Sequence, residues 1–172
     1  MALTESLAAL LHRDLSGLRR EVEAYPDEAS IWAAVPGLTN SGGILVRHLC
    51  GNLQHYVGAV LGDTGYVRDR PAEFGAAPWT RERLLAEIAA AEEAVAATLS
   101  GLDPARLEAT YPEALDGHQF ETGDLLVHLA VHLGFHLGQV GYHRRTVTGE
   151  ARSVGAGRLT DLATARPLAG FS

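Results

Sequence analysis

Cysteine is nearly absent from this sequence, and long apolar runs are missing altogether. The single cysteine, Cys50, excludes an internal disulfide and cannot by itself found a zinc–cysteine site. Its place in the apolar run LVRHLCGNL predicts a small buried side chain. No apolar stretch reaches the roughly 20 residues that span a bilayer, so we expect no membrane segment and no membrane partner.

The sequence also lacks an excess of positive charge. It has 14 basic and 21 acidic residues, for a formal net charge of −7, and the basic residues are scattered. Both features oppose contact with a phosphate backbone, so no nucleic acid is expected as a partner. The beginning, MALTESLAALLHRDL, has neither the basic start nor the unbroken apolar core of a secretory signal, which predicts a cytoplasmic location.

Apolar residues recur with helical spacing in four long segments of the chain. A length of 172 residues suits a single core. The predicted helices cover about 4–24, 41–61, 81–99 and 123–147. We therefore predict an all-α four-helix bundle with long connecting loops over residues 1–149. The tail over 150–172 is rich in Gly, Arg and Ala, and we expect it to be loosely packed or partly disordered.

Polar residues and glycines mark where these helices begin and end. Asn40 or Ser41 is predicted to cap the second helix, Thr80 the third and Thr122 the fourth, which Gly149 then ends. Residues 62–79 have Gly and Pro but no sustained period, which predicts a long ordered loop. The connection over 99–121 is expected to contain a short hairpin at its Asp-Gly pair.

Histidine is the unusual presence, and four of the eight histidines share one stripe of the fourth predicted helix, together with Gln139. Within that stripe His132 and His136 are four residues apart, the spacing that lets two neutral imidazoles meet one divalent ion. His48 lies on a core-facing stripe of the second helix and could supply a third ligand. Three ligands would leave a coordination position open. The alternative is that these are core histidines bonded to backbone carbonyls, since the pattern lacks the glutamate of HExxH.

Other polar residues near these stripes are expected to line the pocket or to support the ligands. His128 and His143 are assigned to the pocket wall or to contacts behind the ligands, and Gln139 to a bound water or a ligand. Asn52 is expected to orient His48, and His55 to line the pocket or bond a neighbouring helix. His12 and His118 are expected to be solvated, and Trp32 and Tyr56 to be core or pocket wall.

The segment VRDRPAEF has two interpretations. Arg68, Arg70 and Glu73 could form an ion-pair cluster on the surface. They could instead belong to a loop over the mouth of a pocket, in which an arginine holds an anionic ligand. Both remain open from the sequence.

Three segments carry a family resemblance that spans most of positions 4–148. NSGGILVRHLCGNLQHYV, VRDRPAEF and LLVHLAVHLGFHLGQVGYHRR resemble the DinB-like, or YfiT-like, superfamily of metal-dependent proteins, in particular an uncharacterised branch of it. The resemblance implies a four-helix bundle that binds a divalent ion through one histidine of the second helix and two of the fourth. By position these are His48, His132 and His136.

The resemblance also implies a range of functions. Zinc or nickel is the expected metal, with iron or manganese as alternatives, and relatives are often dimeric, which suggests a homodimer. Some relatives resemble transferases or isomerases that use a low-molecular-weight thiol. Our first hypothesis is therefore a metal-dependent thiol S-transferase or related detoxification enzyme that acts on a small-molecule ligand. The alternatives are a non-catalytic stress protein that binds metal or a small ligand, and a metal-dependent hydrolase.

Overall fold

Four long helices and three short ones make up most of the chain in a computed structural model that describes residues 3–75 and 77–168. The helices are α1 Leu3–Glu23, α2 Glu28–Ile31, α3 Gly42–Leu53, α4 Val60–Gly62, α5 Arg70–Gly75, α6 Arg81–Gly101 and α7 Thr122–Thr148. Single 3₁₀ turns lie at Pro104–Leu107 and Leu159–Asp161. The described residues contain no β-strand, and the prediction of an all-α bundle is confirmed.

The long helices pack around one apolar core. Both α1 and α3 pack against α6 and α7, so the first two long helices, α1 and α3, lie diagonally across the bundle. Each helix turns one apolar stripe inward because its apolar residues recur every three or four positions. The stripes include Leu11 and Leu18 of α1, Ile88 of α6, and Leu126 and Leu133 of α7, all fully buried. Cys50 is buried among them, as predicted.

Two of the three predicted caps are confirmed. The Ser41 and Thr80 side chains accept hydrogen bonds from the backbone N–H groups of Ile44 and Arg83, at the starts of α3 and α6. The prediction for Thr122 is wrong, because its hydroxyl donates to the carbonyl of Ala109 in the preceding connection. At the other end of α7, Gly149 adopts a φ of 71°, which glycine tolerates best.

The second predicted helix is continuous but changes its winding. After α3 the chain forms a π-helical segment, Gln54–Ala59, before the last turn, α4. A π-helix has more residues per turn than an α-helix, so it rotates the residues that follow. Helical stripes predicted at 3.6 residues per turn therefore stop being valid at Gln54.

The connections are more ordered than their composition suggests. The predicted loop over 62–79 contains α5, which packs against α3 and begins where Asp69 accepts a hydrogen bond from the N–H of Ala72. The predicted hairpin is confirmed: Asp116 and Gly117 have φ values of 48° and 75°, and an antiparallel bridge joins Leu115 to His118. Two positive φ angles in succession are what a type I′ turn requires.

Part of the tail is tied to the bundle more closely than its composition predicts. The Arg20 Nε donates to the carbonyl of Val154 over 2.8 Å, and the buried N–H of Gly155 donates to Glu21 Oε1 over 3.0 Å. Residues 156–168 are exposed or half-buried. In the described parts of the chain, no helix combines the length and apolar character needed to cross a bilayer.

Candidate metal centre

Three histidines from two adjacent helices converge at the α3–α7 interface. His48 projects from α3, and His132 and His136 project from successive turns of α7. One ring nitrogen of each lies within 4.8 Å of one from each of the others. The closest pair is His48 Nε2 and His132 Nε2, at 3.3 Å. The structure thus brings together the three residues selected from the sequence.

A buried carboxylate holds the first of these rings. Glu73 of α5 accepts a hydrogen bond from His48 Nδ1 over 3.0 Å, which leaves the Nε2 of His48 facing His132. Arg68 donates to both oxygens of the same carboxylate, over 2.6 and 2.9 Å. A histidine that donates through one nitrogen to a carboxylate and offers the other to an ion is the usual arrangement of metal ligands. The expectation of an ion-pair cluster on the surface is wrong for Arg68 and Glu73, because both side chains are buried.

The two histidines of α7 differ in their support. His136 Nδ1 and Gln139 Oε1 lie 2.6 Å apart, so Gln139, one turn further along, fixes the orientation of that ring. His132 Nδ1 is buried and has no hydrogen-bond partner among the described residues. His132 is therefore positioned by packing and by its two histidine neighbours.

Burial keeps the α7 histidines in the form that binds metal. Burial, reinforced by the nearby His136 and His48, lowers the pKa of His132 to about 4. Burial also lowers the pKa of His136, although its hydrogen bond with Gln139 opposes the shift. For Glu73, burial raises the pKa, but the hydrogen bonds from His48 and Arg68 outweigh it and lower the pKa below its usual value. The imidazoles of His132 and His136 are thus neutral at physiological pH, and the Glu73 carboxylate that bonds His48 is ionised.

A polar cavity of about 470 Å³ opens beside His48 and His132. Its wall includes Asn52, Tyr56, Arg68, Arg70 and His128, five residues that the sequence had marked. The Asn52 Oδ1 is buried and has no hydrogen-bond partner in the described part of the chain, and the ring of His48 bonds Glu73 instead. Arg70 is exposed and stacks on the ring of Phe74 at 5.6 Å. A small polar molecule could enter this space and reach the histidines.

Two of the other marked histidines lie elsewhere. His143 is buried between the Tyr25 hydroxyl, at 2.7 Å, and the Ala33 carbonyl, at 2.9 Å, so its expected place at the pocket is wrong. It lies seven residues beyond His136, roughly 10 Å along the helix. His55 Nε2 contacts the Glu113 carboxylate over 3.0 Å, in a connection rather than a helix. His12 and His118 are exposed.

The histidine row of α7 also lies differently from the sequence expectation. The fully buried stripe of α7 runs through Leu126, Leu133 and Val140, while His132 and His136 are half-buried and His128 is exposed. The row therefore follows the edge of the inward face rather than its centre. This position places His132 at the wall of the polar cavity beside His48.

Glu73 was predicted to belong to an ion-pair cluster or a loop over the pocket, and its hydrogen bond with His48 was not predicted. A helix signal was present, because Asp69 can cap a helix and Pro71 is favoured in a first turn. This signal predicts a short helix that carries Glu73, as the structure shows for α5.

The residues present suit a divalent ion. Two nitrogens bound to one tetrahedral zinc at about 2.0–2.1 Å lie roughly 3.3 Å apart. The separation of His48 Nε2 and His132 Nε2 is 3.3 Å. The neutral rings and the carboxylate behind His48 also match the donor chemistry that zinc and nickel prefer.

The fold and the site define a class: a helical bundle with a three-histidine site between two adjacent helices. The chain belongs to the DinB superfamily, whose family model matches residues 10–140. The resemblance drawn from the sequence is thereby confirmed. No curated protein and no solved structure matches the chain.

Proposed function

We propose that the protein binds one divalent metal ion through His48, His132 and His136 and uses it to transfer a low-molecular-weight thiol to an electrophile. The observation that carries the proposal is the convergence of the three ring nitrogens beside a polar cavity. The association of the DinB superfamily with metals adds support. Zinc and nickel are the preferred candidates, and iron and manganese the alternatives.

Three protein ligands leave at least one position for an exchangeable ligand. A divalent ion held there would supply a positive charge that lowers the pKa of a thiol and stabilises its thiolate. The protein's own part is to keep the imidazoles neutral and oriented. Glu73 fixes His48, and Gln139 fixes His136.

Charge in the polar cavity favours a thiol that carries a carboxylate. Arg68 is engaged by Glu73, whereas the guanidinium of Arg70 is exposed at the cavity wall. An arginine pairs well with a carboxylate, and one such contact would position the thiol relative to the histidines. The buried Asn52 Oδ1 offers an acceptor to an N–H of the same molecule.

Metal binding is tested by isothermal titration of metal-free protein with zinc and, separately, nickel. We expect about one ion per chain, because three converging imidazoles make one site. His132→Ala should abolish stoichiometric binding, and His12→Ala, which alters an exposed histidine, should leave it unchanged. Absence of stoichiometric binding by either metal would remove the central claim.

Thiol binding is tested with the cobalt-substituted protein. Glutathione, mycothiol and bacillithiol are titrated while the absorption spectrum is followed, since a sulfur ligand adds a charge-transfer band. Conjugation with a panel of electrophiles is then assayed. If no thiol perturbs the spectrum and turnover equals that of His132→Ala, the transferase proposal fails. A metal site with no exchangeable position would then favour a non-catalytic binding protein. Turnover of esters or amides by a bound water would favour a metal-dependent hydrolase.

A homodimer is part of the proposal. Val127 and Val131, one turn apart on α7, are exposed apolar side chains, as expected where a second copy could pack. Sedimentation equilibrium of the metal-loaded protein tests this expectation. A monomer mass across the micromolar range would contradict it.

A further inference from the structure

A second cavity, of about 570 Å³, reaches the histidine site from the other side. His136 and Gln139 belong to its wall, whereas His48 and His132 line the polar cavity. The two cavities share no lining residue. The three-histidine site therefore borders both cavities.

The second cavity has the opposite character from the first. Its wall contains no aspartate, glutamate or arginine. Much of it is formed by Leu38, Leu45, Phe135 and Tyr142. Its volume falls in the range of about 300–1,000 Å³ that is typical of small-molecule sites, which are mostly apolar with a few placed polar groups.

Large apolar side chains at this cavity are left in water. Leu38 is 47% exposed, Phe135 62% and Tyr142 69%. A group of exposed apolar side chains around a concave surface usually indicates a binding site. The amide nitrogen of Gln139 remains available as a donor, because its oxygen contacts His136.

We infer that this apolar cavity binds an uncharged, largely apolar small molecule with one hydrogen-bond acceptor. Resting on the proposed function, this molecule is the electrophile that the thiol attacks. The thiol sulfur forms a bond to a carbon of the electrophile as the bond from that carbon to its leaving group breaks. The leaving group departs with the bonding electron pair, and the thiol proton passes to solvent. The polar cavity then selects the thiol and the apolar cavity selects the acceptor.

The test is direct binding of a neutral fluorescent naphthylamine that has one carbonyl acceptor, 6-propionyl-2-(dimethylamino)naphthalene, to metal-free and metal-loaded protein. We expect one saturable site per chain in both forms, because His136 is the only residue of the cavity wall that belongs to the three-histidine site. Tyr142→Asp should weaken binding by about tenfold or more, since it introduces a charge that would be buried by the ligand. Leu159→Asp is the matched control, because Leu159 is an apolar residue that is 80% exposed and lies outside the cavity wall.

A second pair of variants tests whether the loss of binding in the first pair comes from misfolding. Leu38→Asp should also weaken binding, and Leu168→Asp, whose wild-type residue is 71% exposed and outside the cavity, should not. Equal loss in the cavity and control variants, or no saturable binding, would overturn the inference. Saturable naphthylamine binding to a protein that takes up no metal would support the apolar binding site and contradict the proposed function. Metal and thiol binding without naphthylamine binding would overturn the inference and leave the proposed function intact.

Discussion

Glu73 fixes the orientation of His48, although Glu73 is not one of the three residues assigned as metal ligands. Its carboxylate is buried, accepts from His48 Nδ1 and is held by two donors of Arg68. Such partners fix the ring and increase its basicity. Its contribution should therefore appear in metal affinity.

We predict that Glu73→Gln weakens zinc binding by about 10- to 100-fold, because a neutral amide orients the imidazole less strongly than a carboxylate. Competition titration with a chromophoric chelator measures the affinity. Glu113→Gln is the control, since Glu113 pairs with His55 rather than with the three histidines. Equal affinities for wild type and Glu73→Gln would exclude the assigned role.

Acid should destabilise the metal-free protein in a defined range of pH. The pKa of His132 is about 4 in the folded protein, against an ordinary value of 6.5, chiefly because of burial. Between these values the unfolded chain binds more protons than the folded one, so the free energy of unfolding rises with pH and falls on acidification. His136 and His143 have lowered pKa values too and act in the same direction.

Urea unfolding of metal-free protein at a series of pH values checks this prediction. The midpoint should decrease steadily from about pH 6.5 to about pH 4. His132→Gln removes one titrating group and should flatten the curve in that interval. An identical slope in the variant would mean that His132 is not responsible.

At the level of elements, α5 and the π-helical segment account for most of what the sequence did not predict. The His132 and His136 pair was predictable because an i, i+4 spacing on one helix requires no tertiary information. The pairing of Glu73 with His48 depends on how α5 packs against α3, which no local pattern encodes. The direction of His55 was unpredictable for a related reason, since the π-helical segment changes the winding just before it.

One glycine of α3 makes room for that contact between helices. A Cβ at Gly51 would lie 3.0 Å from the Glu73 Cδ and closer still to its Oε1. We predict that Gly51→Ala displaces the carboxylate and weakens zinc binding to a similar extent as Glu73→Gln. Gly138→Ala on α7 meets nothing within 4 Å and should stabilise the fold by about 0.5–1 kcal/mol.

Chelator competition and chemical unfolding, applied to both glycine variants, separate the two effects. Unchanged metal affinity in Gly51→Ala would indicate that the Glu73 side chain can move without consequence for His48. A destabilised Gly138→Ala would contradict the open surface around that position.

At the scale of the whole molecule, a buried ion pair joins the first and last long helices to the tail. The Arg144 Nε and Glu21 Oε2 lie 2.5 Å apart, and both side chains are almost fully buried. Glu21 also accepts the N–H of Gly155, and Arg144 donates to the carbonyl of Arg152. The four-helix architecture was predictable from apolar spacing, whereas this attachment was not, because it depends on backbone groups of a Gly- and Ala-rich segment.

We predict that Arg144→Leu lowers the free energy of unfolding by about 3–5 kcal/mol, since it leaves the Glu21 carboxylate buried without its cation. The double variant Arg144→Leu with Glu21→Leu should recover part of the loss. Arg158→Ala breaks an exposed pair with Asp161 and should change nothing measurable. Denaturant unfolding measures the stability of the three variants. Equal losses of stability in Arg144→Leu and Arg158→Ala would contradict the prediction that the buried ion pair contributes more than the exposed one.

The hydrogen bond from Gly155 to Glu21 has a consequence for amide exchange with deuterated solvent. Gly155 belongs to no helix, and amides outside helices normally exchange fast. Its N–H is nevertheless buried and bonded to a carboxylate inside the bundle. The Gly155 amide should therefore exchange as slowly as those at the centre of α7, while the exposed amides nearer the C-terminus exchange within seconds.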